Sequence, residues 1–97
     1  MNMNEMLKRA KKLQVEMEKD EKALQNQEFE VTKQGIKVVM LGTRRIKSIT
    51  IDEALIDPDD PELVQDLVML AINEVLEIID DAYDDVNSKY SNSGMPI

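Results

Sequence analysis

The 97-residue chain predicts an α+β domain built as helix, three-stranded antiparallel meander and longer helix (α-β-β-β-α). Three features carry that prediction. A heptad-like apolar seam of Met3, Met6, Ala10, Leu13, Met17 and Leu24 occupies the first quarter. Three short segments of alternating or β-branched character follow, and from Asp60 to Tyr90 apolar residues recur at three- and four-residue steps.

Taken in order, the first helix is expected from Asn4 to about Leu24, roughly five turns, with no Gly or Pro before Gly35 and a favourably ordered Glu18/Lys22 pair. Its seam is narrow, rich in Met and Ala, and interrupted by Asp20, so it suits a helix that projects from a body or packs on a partner. From Gln27 to Thr32 the period changes to two, Phe29 and Val31 alternating with Glu28 and Glu30, as in a strand with one wet face. Lys33-Gln34-Gly35 reads as a hairpin turn with Gly35 supplying positive φ. Ile36–Leu41, ending at Gly42, and Ile46–Ile51 read as the second and third strands, with Ile49 and Ile51 on one face of the third. Leu55 and Ile56 are expected to anchor the next loop. Asp60 as N-cap and Pro61 at the first helical position then start the long helix, which lies on the apolar face of the sheet.

In its first half that helix is apolar on nearly every side, Leu67-Val68-Met69-Leu70-Ala71-Ile72, more than one sheet can cover. The run is too short to span a bilayer and is followed by Asn73, Glu74 and Glu77, so a partner subunit is the natural cover. Leu67, Leu70, Ile72, Val75 and Leu76 are the expected dimer-interface residues. Residues 1–90 form one domain and 91–97 a flexible tail on this reading, without internal repeat or linker.

The absence of cysteine and histidine removes thiolate sites, the usual general base and the commonest zinc ligand. Three isolated glycines give no phosphate cradle. The pairs Asp59-Asp60, Asp80-Asp81 and Asp84-Asp85 lack the spacing and central glycine of an EF-hand loop and read as capping or solvated residues. No catalytic residue, metal, cofactor or small-molecule substrate is therefore expected. Neither a signal peptide nor a membrane anchor is recognisable, which makes the cytoplasm the expected location.

A formal charge of −8 argues at first against a polyanionic partner. The charge is split, however: through Ile51 there are eleven bases against seven acids, and from Asp52 onward Lys89 alone against thirteen acids. A polyanion responds to the local patch.

The order and spacing of several pieces resemble the YbaB/EbfC family of nucleoid-associated proteins over nearly the whole chain. These pieces are Met6-Leu7-Lys8 through Leu13-Gln14 and Met17, Val38-Val39-Met40-Leu41-Gly42, Ile49-Thr50-Ile51-Asp52, Leu55-Ile56, Glu62 to Val68 followed by Ala71 and Asn73, and Ser93-Gly94-Met95. The resemblance implies a dimer formed through sheet and long helices, first helices projecting like tweezer arms, and DNA binding in the nucleoid. Two positions depart from the family pattern. Glu53 stands where relatives usually carry Pro, and Asp80-Asp81 with Asp84-Asp85-Val86 occupy a stretch where relatives often carry Lys or Arg.

Lys8, Arg9, Lys11 and Lys12 lie within just over one helical turn, and Arg44, Arg45 and Lys47 cluster where the second strand turns into the third. Both groups suit phosphate contact with duplex DNA; both also suit a solvated helix face and a blunted sheet edge. Aromatics are few and none lies in a basic patch, and no helix-turn-helix or finger pattern is present, so neither base stacking nor base-edge reading is expected. The competing reading is a dimeric adaptor whose Met-rich arms grip another protein.

Overall fold

A computed structural model describes residues 2–91. Helix α1 spans Met3–Asn26, strands β1, β2 and β3 span Glu28–Lys33, Ile36–Leu41 and Ile46–Ile51, a single 3-10 turn covers Glu53–Leu55, and helix α2 spans Pro61–Ser91. The sheet is the antiparallel meander β1-β2-β3. Of the expected tail, Ser91 closes α2 and 92–97 lie outside the described residues.

Local chemistry explains the boundaries. Asn2 caps α1, its Oδ1 accepting the Glu5 N–H at 2.9 Å, so the helix starts one residue before Asn4. The β1–β2 hairpin closes through two left-handed residues, Gln34 at φ 49° and Gly35 at φ 89°, between the paired Lys33 and Ile36. Leu55 packs against the core and lies over Gly35, where a Cβ would sit 3.0 Å from its Cδ1. Ile56 was expected to share that anchoring and does not: it is the extended residue that ends the 3-10 turn and stays exposed. Asp57 shapes the turn before α2, accepting the Asp59 N–H on its side chain and the Asp60 N–H on its carbonyl.

The core joins two patterns of different period. Phe29, Val31, Ile36, Val38 and Met40 alternate along β1 and β2, and Leu67, Ala71, Val75 and Ile79 recur every fourth residue along α2. Ala71, small and fully buried, lets the helix axis approach the strands. Strand β3 stands outside this arrangement. Ile51 and Ile49 pair with Ile36 and Val38, and a bulge between Val39 and Met40 brings Ile46 rather than Lys47 opposite Met40. The three isoleucines thus share the helix-facing side, yet only Ile51 is even half-buried. A helix about 10–12 Å wide covers only about two strands spaced ~4.8 Å apart.

Beyond Ile79 helix α2 leaves the sheet and continues antiparallel to α1, giving a molecule of 71 × 20 × 13 Å. The two layers meet at Gly42, whose N–H donates to the Gln27 carbonyl at 3.0 Å. A Cβ on Gly42 would lie 1.7 Å from the Leu24 carbonyl oxygen. Gly42→Ala must therefore push the end of α1 off the sheet. A destabilisation of about 2 kcal/mol or more, seen as a fall in thermal midpoint of several degrees, is expected in a melt followed by circular dichroism.

Candidate nucleic-acid interface

Helix α1 has two unlike halves. Leu13, Met17, Asp20 and Leu24 are half-buried along α2, whereas Met3, Met6 and Leu7 are 76, 57 and 55% exposed. The change falls between Leu13 and Ala10, about two turns beyond Asp20, where Tyr90 and Lys89 of α2 meet the first helix. From Asp20 to Met3 the first helix then runs on for about 25 Å, at ~1.5 Å per residue. At about 100° per residue, Lys8, Arg9, Lys11 and Lys12 fall on the side of this arm opposite the Met3, Met6, Leu7 and Ala10 seam. All four are exposed, and none joins the ion pairs found among the described residues.

The junction that carries the arm is polar. Tyr90 donates its hydroxyl to Asp20 Oδ2 at 2.6 Å, and Lys89 Nζ donates to the same oxygen at 3.2 Å while lying 5.3 Å from the Tyr90 ring centroid. Tyr90 itself is buried. The tyrosine hydroxyl first, and the ammonium second, hold the Asp20 carboxyl below the usual carboxylate range. Facing that carboxylate, Tyr90 and Lys89 are both pushed above their ordinary values. Asp20, which looks like a defect in the seam, is the residue on which the second helix closes.

The second basic cluster is arranged differently. Arg44, at φ 70°, donates from Nη2 to Asp80 Oδ1 at 2.7 Å, and its guanidinium lies 5.0 Å from the Tyr83 ring centroid. Tyr83 in turn donates its hydroxyl to the Gly42 carbonyl at 2.9 Å. Lys47, the extra residue of the bulge, pairs with Glu28. Of the loop cations expected to contact phosphate, Arg45 alone is exposed and outside these ion pairs. No periodicity or spacing signals that the Asp80 and Glu28 carboxylates lie beside these bases, since the pairs join residues 36 and 19 apart.

The residues expected at a subunit interface divide. Leu67 and Val75 are buried against the chain's own sheet, and Ile72 and Leu76 border that core half-buried. Leu70 remains 48% exposed. The apolar surface left open consists of Leu63, Met69, Leu70 and Ile78 on α2 with Ile46 and Ile49 on β3. The strand residues were not singled out from sequence; the signal was the width of one helix against three apolar strands. Among the described residues there is no carboxylate group arranged to hold a metal ion, and no helix is long and apolar enough to cross a membrane.

Comparison with known proteins agrees with this architecture. Residues 1–95 match the sequence model of the YbaB/EbfC DNA-binding family. The chain is similar to a nucleoid-associated protein of Metamycoplasma arthritidis, 67% identical over 98% of this chain and 100% of that protein. It is 45% identical to a nucleoid-associated protein of Mycoplasmopsis pulmonis, covering 99% of this chain and 96% of the other. The fold is similar to the crystal structure of an uncharacterized protein from Helicobacter pylori, with TM-score 0.54 at 19% identity over 95% of this chain and 91% of that one.

The junction makes α1 sensitive to pH at both ends. A carboxyl with a depressed pKa contributes stability that is complete above its unfolded value and is lost as pH falls through the folded value. Tyrosine and lysine with raised values contribute stability that is complete below their unfolded values and is lost as pH rises through the folded ones. Docking of α1 should thus be firmest between about pH 5 and pH 9. Tyr90→Phe should move the acid-side loss of docking to higher pH and speed amide exchange at residues 17–24 several-fold, measurable by hydrogen exchange across that range.

Proposed function

The chain belongs to the YbaB/EbfC DNA-binding family, and from that membership we propose a homodimeric nucleoid-associated protein that binds duplex DNA through phosphate contacts with little sequence preference. On this reading the two arms of a dimer straddle the duplex and alter its conformation, and the protein resides in the nucleoid. The observation that carries it is the arm: four exposed cations, Lys8, Arg9, Lys11 and Lys12, on one side of a helix that extends past the end of its neighbour. Arg45 adds a further contact at the body.

The acidic second half of the chain lies too far along the axis to oppose this. Asp85 lies five residues before Tyr90, towards the body, and Lys12 eight residues beyond Asp20, towards the arm tip. Their separation along the axis is about 20 Å, at least twice the Debye length of ~8 Å at physiological salt. The relatives' names, nucleoid-associated protein, point the same way. A second reading, an adaptor that grips another protein, draws on the exposed Met3, Met6 and Leu7 along the opposite side of the arm.

The proposed subunit contact uses the surface that α2 leaves open, Ile46 and Ile49 on β3 with Leu63 and Leu70 on α2, covered by the same surface of a second chain. The apolar character of both elements supports it, as does the marginal core of a chain this short.

Two measurements test these readings. Duplex binding should weaken steeply between about 50 and 200 mM salt with a logarithmic slope matching about 4–8 phosphates per dimer, and Lys11→Ala with Lys12→Ala should flatten it by roughly one unit for each phosphate no longer neutralised. Absence of binding at ~20 mM salt, where screening is weakest, would leave the adaptor reading in its place. Sedimentation at micromolar concentration should show a dimer, and Ile49→Asp should give monomer or unfolded chain, since a buried unpaired carboxylate costs several kcal/mol. A folded wild-type monomer would contradict the proposed contact.

A further inference from the structure

The Arg44 site has the parts of a phosphate contact that is already occupied from within. Its backbone is fixed by the left-handed turn and by the Arg44 N–H donating to the Leu41 carbonyl at 2.8 Å. Its guanidinium lies over the Tyr83 ring, and Tyr83 is tied to the same loop through the Gly42 carbonyl. The Asp80 carboxylate then takes the edge of the fork at 2.7 Å. The two side chains retain 45 and 58% exposure, so an external anion can reach the place the carboxylate holds.

We infer that Asp80 is an intramolecular stand-in for a DNA phosphate, and that its hold on Arg44 sets the affinity of the body for duplex. The inference rests on the duplex-binding function proposed above and adds the residue that limits it. An arginine contributes to duplex affinity by releasing a condensed counterion from the phosphate it neutralises. Arg44 carries its own counter-charge on α2, so a phosphate arriving there displaces one carboxylate and the net electrostatic gain is small. Because Tyr83 orients the guanidinium whether or not Asp80 is charged, removal of that charge leaves a pre-set fork facing solvent. A pair that served only to fasten the loop to α2 makes a different prediction: removal of Asp80 lowers stability and leaves DNA binding as it was.

The experiment compares wild type, Asp80→Asn, Asp84→Asn and the Lys11→Ala/Lys12→Ala double variant, each titrated with a mixed-sequence duplex of about 20 base pairs from ~20 to ~200 mM salt. Asp84 is one turn further on, exposed, and outside the ion pairs described above, so it reports general removal of negative charge. Asp80→Asn is isosteric and should raise affinity several-fold near ~50 mM salt and steepen the logarithmic slope by about one unit per subunit, with Asp84→Asn showing a smaller gain and little change in slope. Adding Arg44→Ala to Asp80→Asn should abolish the gain. Equal effects of the Asp80 and Asp84 variants, or a gain that survives Arg44→Ala, would overturn the inference while the arm variant still reports duplex binding. No binding by any of these chains at ~20 mM salt would instead overturn the function on which it rests.

Discussion

A single α-helix is about as wide as two β-strands, and this chain lays one helix over three. Leu67, Ala71, Val75 and Ile79 fill the line above β1 and β2, and their four-residue spacing keeps α2 in contact with Phe29, Val31, Val38 and Met40 for more than three turns. What remains follows from that limit. Ile46 and Ile49 stand on the same side of the sheet beside the helix, 46 and 40% exposed. The same helix, longer than the sheet, runs on past Ile79 and becomes the support for α1.

How α1 is supported decides how charge is laid out along the molecule. It is held at Gly42, where backbone meets backbone, and at Asp20, where Tyr90 and Lys89 share one carboxylate oxygen. The apolar seam is half-buried from Leu24 back to Leu13 and open from Ala10 to Met3. Lys8, Arg9, Lys11 and Lys12 lie in the open part, whereas most carboxylates of α2 lie alongside the body, so these charges stand apart along a 71 Å axis. A chain with formal charge −8 can in this way present a cationic end. Exposed pairs such as Arg44–Asp80 and Lys47–Glu28 contribute little to stability, and their larger effect is on which cations remain available to a ligand.

The order of elements was legible in the sequence because each is marked by its own period and by local punctuation: Gly35 at the hairpin, Gly42 after β2, Pro61 at the start of α2. The bounds of β2 and β3 agree with the alternation of their residues. Ile56 misled because a hydrophobic pair in a loop does not reveal which member turns inward; the 3-10 turn settles that in favour of Leu55. The bulge that puts Ile46 opposite Met40 and makes Lys47 the extra residue is something periodicity cannot register. In the candidate site, exposure of the arm bases followed from the narrow seam, while the occupation of Arg44 by Asp80 depended on how far α2 runs back past the β2–β3 loop. Long-range pairing of this kind is a property of packing, and it also turned Asp20 from an apparent flaw into an anchor.

On the proposed function the cationic arm, and not the acidic body, meets the duplex. Backbone amide shifts of the assigned, isotope-labelled protein, followed as a short duplex is added at low salt, test it most directly. The largest changes are expected at residues 5–15 of α1, a smaller change at Arg45, and none at the buried Val38, Met40 and Val75. Changes concentrated on the acidic stretch from Glu77 to Asp85, with residues 5–15 unmoved, would contradict it.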